Sequence, residues 1–190
     1  MKKLSAVTAT VFLLLLTSSA AVFAQDGHEY APILEKQLEY KDWTFKDMKT
    51  GAPVNLRRFA AGKKLVLVVY FAPWCGNWKF EAPVVARLYD KYKAQGFDVV
   101  AVSNYGTAED REAYFSRSPA SYTVVLESED RDAREKTAHY GYRQRTGDTR
   151  KWGSPYNVFL VPSQLSKDGD VLIEKTWIVN GELIEKDAEQ

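Results

Sequence analysis

A single cysteine, Cys75, is the most reactive side chain in this sequence of 190 residues. A cysteine thiolate can attack a disulfide, or it can be oxidised to a sulfenic acid. Two tryptophans flank it in the run Trp74-Cys75-Gly76-Asn77-Trp78. One cysteine excludes an intrachain disulfide and a metal site built from several cysteines. The candidate chemistry is therefore that of one thiol whose reaction partner must come from outside the chain.

Composition limits the partners that this thiol can serve. The chain has 26 basic and 25 acidic residues, a net charge of +1, and 45% hydrophobic residues. A surface that binds nucleic acid needs a clustered basic excess, and this balance gives no sign of one. The histidines, His28 and His139, show no spacing typical of a metal site or a serine-type triad. The length and apolar fraction predict one globular domain with a buried core.

The N-terminus has the pattern of a secretory signal over residues 1–24. Two lysines precede an apolar run, and small residues lead to an expected cleavage after Ala24. The run is too short for a good membrane anchor, although an uncleaved anchor is the alternative. Residues 25–39 are polar and are expected to form a loosely attached arm before one domain over residues 40–190. The chain is therefore predicted to be periplasmic or secreted, in an oxidising compartment where a free thiol is unusual.

Hydrophobic patterns predict the elements that must position Cys75. The unbroken β-branched and aromatic run Leu65–Phe71 predicts a central strand buried on both faces. Apolar residues three and four apart predict a helix from near Trp78 to Gly96, with a kink at Pro83. A strand at 97–102 completes a strand-helix-strand unit, which requires parallel pairing. The other expected elements are strands at 43–47 and 123–126, helices at 107–115 and 132–140, and a hairpin of strands 157–161 and 171–178 that turns at Asp168-Gly169.

The turn that carries Cys75 resembles the active-site turn of the thioredoxin fold, whose pattern is Trp-Cys-Gly-Pro-Cys. Residues 65–102 are similar to the exported TlpA-like branch, in which a glutamate and a helix proline follow this motif, here Glu81 and Pro83. Downstream, the run 153–155, Gly-Ser-Pro, resembles the cis-proline loop of the family. The resemblance implies an α/β fold, a thioredoxin-like three-layer α/β/α sandwich with a mixed central sheet.

The chain departs from this family at Trp78, which stands where the family has its second cysteine, and at Asn77, which replaces the proline. The second thiol normally resolves the mixed disulfide within the same protein, and that step is not available here. A thiol at a helix N-terminus still faces unpaired N–H groups and the positive end of the helix dipole, which favour the thiolate. Cys75 therefore remains a candidate nucleophile.

Two functional hypotheses follow for Cys75. The first is a thiol-disulfide oxidoreductase that works in a monothiol mode, by mixed-disulfide exchange, isomerisation or reversible oxidation to sulfenic acid. An external thiol, such as glutathione or a protein thiol, would then resolve the intermediate, with no bound cofactor or metal, and the protein would be a monomer or a Cys75-linked dimer. The second is a non-catalytic module that binds extended polypeptide or a redox partner. A peroxidase is less favoured, because the threonine and proline expected upstream of a peroxidatic cysteine are absent before Cys75.

The resemblance also implies roles for the residues around the thiol. Glu81 is expected to be a buried proton acceptor with a raised pKa, or else a first-turn acid that stabilises the helix dipole. Pro155 is expected to be cis and to lie against Cys75, which would leave the backbone at Ser154 free to pair with a client strand. Trp74 is expected to contact clients.

Two further expectations have open alternatives. Trp78 either contacts clients or packs as the first residue of the apolar helix face. The polar stretch 140–152 is expected to be a long loop beside the site. Its basic residues either act on the thiol and recognise an anionic partner such as glutathione, or are simply solvated. These residues are Arg143, Arg145, Arg150 and Lys151.

Overall fold

In the computed structural model, which describes residues 27–190, eight strands form one mixed sheet. The strand order is β1-β8-β7-β4-β5-β6-β2-β3. Strands β4 and β5 pair in parallel, as do β5 and β6, and the remaining neighbours are antiparallel. The strands are β1 (Leu34–Lys41), β2 (Thr44–Asp47), β3 (Pro53–Asn55), β4 (Leu65–Phe71), β5 (Phe97–Ser103), β6 (Thr123–Leu126), β7 (Tyr156–Leu160) and β8 (Val171–Val179).

Helices cover both faces of this sheet, which confirms the predicted three-layer α/β/α arrangement. Successive side chains of a strand point to opposite faces, so the fully apolar β4 contributes to two cores. Leu56 of α1 and Tyr142 of α4 pack into one core, and Trp78 and Val85 of α2 pack into the other. The helices are α1 (Leu56–Ala60), α2 (Gly76–Tyr92), α3 (Ala108–Phe115), α4 (Ala138–Thr146) and α5 (Glu185–Ala188).

The predicted strand-helix-strand unit around Cys75 is confirmed. Strand β4 lies in the middle of the sheet and runs parallel to β5 along its whole length. The connecting helix α2 continues through Pro83, and a single 3-10 turn then ends at Gly96 with φ of +97°. The carboxyl end of β4 therefore meets the N-terminus of α2 at the edge of the sheet where the candidate site was expected.

The N-terminal boundary of the ordered sheet differs from expectation. Residues 34–39 were predicted to belong to a loosely attached arm, but they form most of β1, which pairs with β8. Leu38 and Tyr40 of this strand are buried in the core. The predicted arm is therefore wrong for residues 34–39. Their polar sequence did not indicate a strand, but pairing with β8, more than 130 residues away, makes them one. The predicted signal segment, residues 1–24, lies outside the described residues.

The fourth helix lies later in the chain than predicted. The helix expected over 132–140 is instead a 3-10 turn at Arg134–Lys136 followed by α4. The hydroxyl of Thr137 accepts a hydrogen bond from the amide of Tyr140 and caps α4, and Gly147, with φ of +79°, ends it. Residues 141–146, predicted to be part of a long loop, are therefore helical. None of the helices in residues 27–190 has the length and apolar character needed to cross a membrane.

Candidate functional site

Cys75 lies at the N-cap position of α2, directly after β4 and a tight turn. Its amide donates to the carbonyl of Ala72 at 2.9 Å, and its carbonyl accepts from the amide of Lys79 at 3.3 Å. The side chain makes no capping hydrogen bond and is half-buried. The fold thus presents the thiol at the helix N-terminus, as expected, with part of its surface open to solvent.

The loop before β7 faces this thiol. The Ser154–Pro155 peptide is cis, as the resemblance implied. The thiol of Cys75 donates to the carbonyl of Ser154 at 3.3 Å, and the hydroxyl of Ser154 accepts from the amide of Ala72 at 2.8 Å. Ser154 and Pro155 are both buried. The carbonyl expected to be free for a client strand is therefore occupied by the thiol in this state of the protein.

Trp74, the residue before Cys75, is held in place by several contacts. Its indole N–H donates to the carbonyl of Tyr105 at 2.6 Å, and the guanidinium of Arg131 lies 4.8 Å from its ring centroid. Trp152 packs edge-on against it, with 5.2 Å between centroids. Both tryptophans are only partly buried; Trp74 precedes Cys75 in the sequence, and Trp152 precedes Ser154 by two residues. Sequence reasoning missed Trp152 as a site residue, because only the folded chain brings it next to Trp74.

Trp78 is completely buried, which decides between its two alternatives. It stacks on Phe71 with 4.3 Å between ring centroids and approaches Tyr114 at 6.2 Å. A side chain with no exposed surface cannot contact a client polypeptide, so the substrate-binding interpretation of Trp78 is wrong. The side chain instead fills the core where the resemblance places a second cysteine.

Glu81 is buried on the inner side of α2, and the helix surface becomes exposed again two residues later, at Pro83. Its Oε2 accepts from the amide of Leu183 at 2.6 Å and from the side chain of Asn157 at 3.3 Å. Burial raises the pKa of Glu81 to about 8, and these two hydrogen bonds only partly oppose the shift. The direction of this shift agrees with the expected raised pKa, and Glu81 lies beyond the first turn of α2, so it is not the first-turn acid of the alternative. Its role as a proton acceptor stays a prediction.

The basic residues of α4 and of the segment after it are arranged differently from the expectation. The buried guanidinium of Arg143 donates to Asp148 at 2.9 Å, and Arg150 donates to the same carboxylate at 2.8 Å and to Glu29 at 2.9 Å. Burial alone would raise the pKa of Asp148, but pairing with Arg150 and Arg143 lowers it below its usual value. Arg143 and Arg150 are therefore part of an internal ion network and are not free to recognise an anionic partner.

This network instead supports the loop that faces Cys75. Arg150 donates to the carbonyl of Pro155 at 2.8 Å, and Arg143 donates to the carbonyl of Arg150. Gly153 adopts φ of +55°, and a Cβ there would collide with the guanidinium of Arg143. Only glycine fits both the left-handed backbone and the close approach of the arginine at this position.

His139 holds the same loop from the other side. It is fully buried, and burial lowers its pKa well below the ordinary value, so the ring is neutral. Its Nε2 lies 3.1 Å from the carbonyl of Gly153, and its Nδ1 lies 3.0 Å from the hydroxyl of Tyr105. The tautomer that satisfies both contacts donates from Nε2 to Gly153 and accepts at Nδ1 from Tyr105. The sequence carried no signal for this role.

The arrangement offers one kind of chemistry. Across the part of the chain that the structure describes, no group of three His, Cys, Asp or Glu side chains could hold a metal ion. A half-buried thiol at a helix N-terminus faces a firmly supported loop, with a titratable buried carboxyl in the same helix. Such a thiol can form a mixed disulfide or be oxidised, but it has no second thiol within the chain.

Several curated proteins resemble this sequence, and two of them represent the two kinds of match. Protein disulfide-isomerase from Drosophila melanogaster is 35% identical over 89 residues, which cover 46% of this chain and only 18% of the fly protein. Probable phospholipid hydroperoxide glutathione peroxidase 6, mitochondrial, from Arabidopsis thaliana is 27% identical over 188 residues, which cover 92% of this chain and 76% of that protein. The longer match therefore includes nearly the whole sequence, and the more similar one is a short segment of a much longer protein.

Solved structures share the fold. A secreted disulfide oxidoreductase from Mycobacterium tuberculosis superposes with a TM-score of 0.51 at 15% identity, covering 77% of this chain and 90% of the other. The mixed sheet with helices on both faces is thus a thioredoxin-like fold. The model of the AhpC/TSA family matches residues 37–160, which include both β4 with the Cys75 turn and the loop at Pro155. This chain belongs to the AhpC/TSA family.

Proposed function

We propose that this protein acts in thiol-disulfide exchange of the TlpA-like type, with Cys75 as its only nucleophile. The observation that carries the proposal is the position of the thiol: it is half-buried at the N-terminus of α2 and faces the loop that contains cis-Pro155. The presence of a disulfide-isomerase and a disulfide oxidoreductase among the similar proteins supports this class of chemistry. The substrates would be protein thiols or disulfides, or a small thiol such as glutathione.

The monothiol cycle has two balanced steps. The thiolate of Cys75 attacks one sulfur of a disulfide, forming a mixed disulfide while the second sulfur leaves as a thiolate and takes up a proton. An external thiol then attacks the mixed disulfide, which releases Cys75 as a thiolate and forms a new external disulfide. No net oxidation of the protein occurs. A buried carboxyl with a pKa of about 8 can take up or release a proton near neutral pH, the role we propose for Glu81.

We place this activity in the periplasm or outside the cell, after removal of residues 1–24. The support is the signal-like pattern of those residues and the secreted protein among the structures with the same fold. An oxidising compartment supplies the disulfides that such a thiol would attack. The protein would work as a monomer, and a dimer joined through Cys75 would have to be reduced before its thiol could attack a disulfide.

The direct test uses the chain from Gln25 to Gln190 and glutathione disulfide. Intact-mass spectrometry should show one glutathione adduct on the folded protein, formed faster than on the same chain unfolded in urea, and none on Cys75→Ser. Reduced glutathione should then remove the adduct. A folded protein that reacts more slowly than its unfolded form would overturn the proposal, because the fold would then hide the thiol instead of activating it.

One contact favours a second candidate, a non-catalytic binding module. The thiol can donate to the carbonyl of Ser154 only in its protonated, less nucleophilic form. If this contact persists in solution, the site is a structural feature of a binding surface. In that case Cys75→Ser, whose hydroxyl can make the same contact, would bind reduced unfolded polypeptide as well as the wild type does. Under the exchange proposal, capture of a disulfide-containing polypeptide is lost in this variant.

A further inference from the structure

A hollow of about 480 Å³ lies between α2 and α3, on the side of the Cys75 turn formed by Pro73 and Trp74. We call it the α2–α3 hollow. It extends from Trp74 along the flanks of the two helices, and neither Cys75 nor the loop at Pro155 lines it. Its size falls within the range of about 300–1,000 Å³ that is typical of small-molecule sites.

Most of the floor of the α2–α3 hollow is apolar and made of helix sides. Ala82 and Ala86 of α2 face Ala113 and Tyr114 of α3, and residues of the non-helical segment 117–122 line the far end. The backbone of helical residues is already hydrogen-bonded within each helix. An extended peptide lying along the two helix flanks would therefore find no backbone partners there and would leave its own amides unpaired. A hydrocarbon chain has no such requirement.

The charged side chains at the rim favour a ligand that carries a negative charge. Lys79 and Arg117 line the hollow, and in the described part of the chain neither forms an ion pair within 4.0 Å. The only lining carboxylate, Asp110, already accepts from Arg131 at 2.7 Å and from the amide of Thr107 at 3.0 Å. The rim thus offers two uncompensated positive charges beside an apolar floor.

A neighbouring hollow provides an internal contrast. It has a volume of about 600 Å³ and shares Phe115 and Tyr122 with the first, but it is lined by the carboxylates of Asp47 and Asp98. Asp98 is already paired with Lys63 at 2.6 Å, and Asp47 offsets the one lining lysine, Lys49. An anionic head group therefore finds uncompensated positive charge in the α2–α3 hollow and none next to it, although both hollows offer aromatic surface.

We propose that the α2–α3 hollow binds a free alkyl carboxylate of the fatty-acid type. The hydrocarbon chain lies along the alanine and tyrosine floor, and the carboxylate pairs with Lys79 and Arg117 at the rim. The driving forces are burial of apolar surface and charge-assisted hydrogen bonds, both of which need the two features together. The inference does not depend on the reaction of Cys75.

Isothermal titration calorimetry with dodecanoate below its micelle concentration tests the proposal on the chain from Gln25 to Gln190. One saturable site is expected, and the double variant K79E/R117E should weaken binding at least tenfold. The control variant Lys167→Glu makes the same kind of charge change at an exposed lysine in the β7–β8 connection and should bind as the wild type does. Dodecyltrimethylammonium, with the same chain and opposite charge, should bind at least tenfold more weakly than dodecanoate.

A second variant locates the site. Ala113 is exposed on α3 and lines the hollow, so Ala113→Trp should fill the space without disturbing the core and abolish dodecanoate binding. Cys75→Ser should bind normally, which separates this result from any failure of the exchange chemistry. Equal binding of the two probes, or unchanged binding by both Ala113→Trp and K79E/R117E, would overturn the proposal.

Discussion

Two buried carboxyl groups, those of Asp148 and Glu81, have pKa values that are shifted in opposite directions. Asp148 pairs with Arg143 and Arg150, and its pKa lies below the usual value despite burial. Glu81 has no cation within salt-bridge distance among the described residues, and burial raises its pKa to about 8. Asp148 is thus a permanent charge that holds a loop, whereas Glu81 can change its protonation state near neutral pH. The difference shows that the partner, and not burial alone, separates a structural acid from a titrating one.

The largest expected effect comes from removing Arg143, one of the two arginines that pair with Asp148. Arg143→Ala should lower the free energy of unfolding by about 3–5 kcal/mol, because it leaves Asp148 as a buried and less compensated charge. Urea unfolding followed by circular dichroism measures this. The control Arg145→Ala removes an exposed arginine from the same helix and should change the stability by less than about 0.5 kcal/mol. Similar losses for both variants would mean that the Arg143–Asp148 pair contributes no special stability.

The second effect is a pH dependence with a definite sign. The native pKa of Glu81 is raised from 4.5 to about 8, so the native state binds more protons than the unfolded state between these values. The contribution of Glu81 to stability is therefore fully present below pH 4.5 and is lost as the pH rises through 8. The slope reaches at most about 1.4 kcal/mol per pH unit.

Glu81→Gln tests this sign. In urea unfolding experiments, the free energy of unfolding of the variant should not fall between pH 4.5 and 8 as that of the wild type does. The difference between the two free energies, variant minus wild type, should therefore increase with pH. The same pair of proteins tests the proposed proton role, since the rate of mixed-disulfide formation should change its pH profile near pH 8 only in the wild type. Parallel stability curves for the two proteins would contradict the assignment of a raised pKa.

A smaller effect is expected at Asn157, whose hydrogen bond partly opposes the rise in the pKa of Glu81. The side chain of Asn157 donates to Glu81 at 3.3 Å, a contact that lowers the carboxyl pKa. Asn157→Ala should raise the pKa of Glu81 further, by the equivalent of about 1 kcal/mol, the usual size of one hydrogen bond. Titration of the Glu81 carboxyl by ¹³C NMR measures this shift. An unchanged or lower pKa would show that the amide does not stabilise the ionised form.

The smallest effect is expected for an exposed ion pair, which can be compared with the buried pair of Asp148. Glu185 pairs with Arg87 at 2.7 Å on the surface, and hydrogen bonding to Arg87 lowers its pKa. Solvent screens such a pair, so Arg87→Ala should cost only about 0.2–1 kcal/mol of unfolding free energy, and less at high salt. Thermal melts at two ionic strengths check this. A loss as large as that of Arg143→Ala would mean that burial does not determine the strength of these pairs.

Much of the fold around Cys75 could be predicted because its signals are local. The apolar run of β4, the helical period of α2 and the turn between them are all contained in residues 65–92. The cis peptide at Pro155 followed from the resemblance of its loop. By contrast, β1 was missed because its polar residues face solvent and only its pairing with β8 makes it a strand.

The support of the site was harder to foresee. Arg143, Arg150 and Asp148 form a polar stretch that is typical of a solvated loop, and only folding brings them into one buried network. Trp152 and His139 likewise meet Trp74 and Gly153 through contacts that no short-range pattern encodes. Charge and hydrogen-bond pairing depends on distances of a few ångströms, which sequence spacing does not specify across separate elements.

The sequence by itself determined that there is one thiol, that it follows a buried strand and begins a helix, and that no second thiol can resolve its reaction. These are properties of residue identity and local period. Only the tertiary structure decided that Trp78 is core, that burial raises the pKa of Glu81 to about 8 and that ion pairing lowers the pKa of Asp148. The reason is physical: burial, desolvation and ion pairing are set by the neighbours of a side chain in space, and those neighbours come from distant parts of the chain.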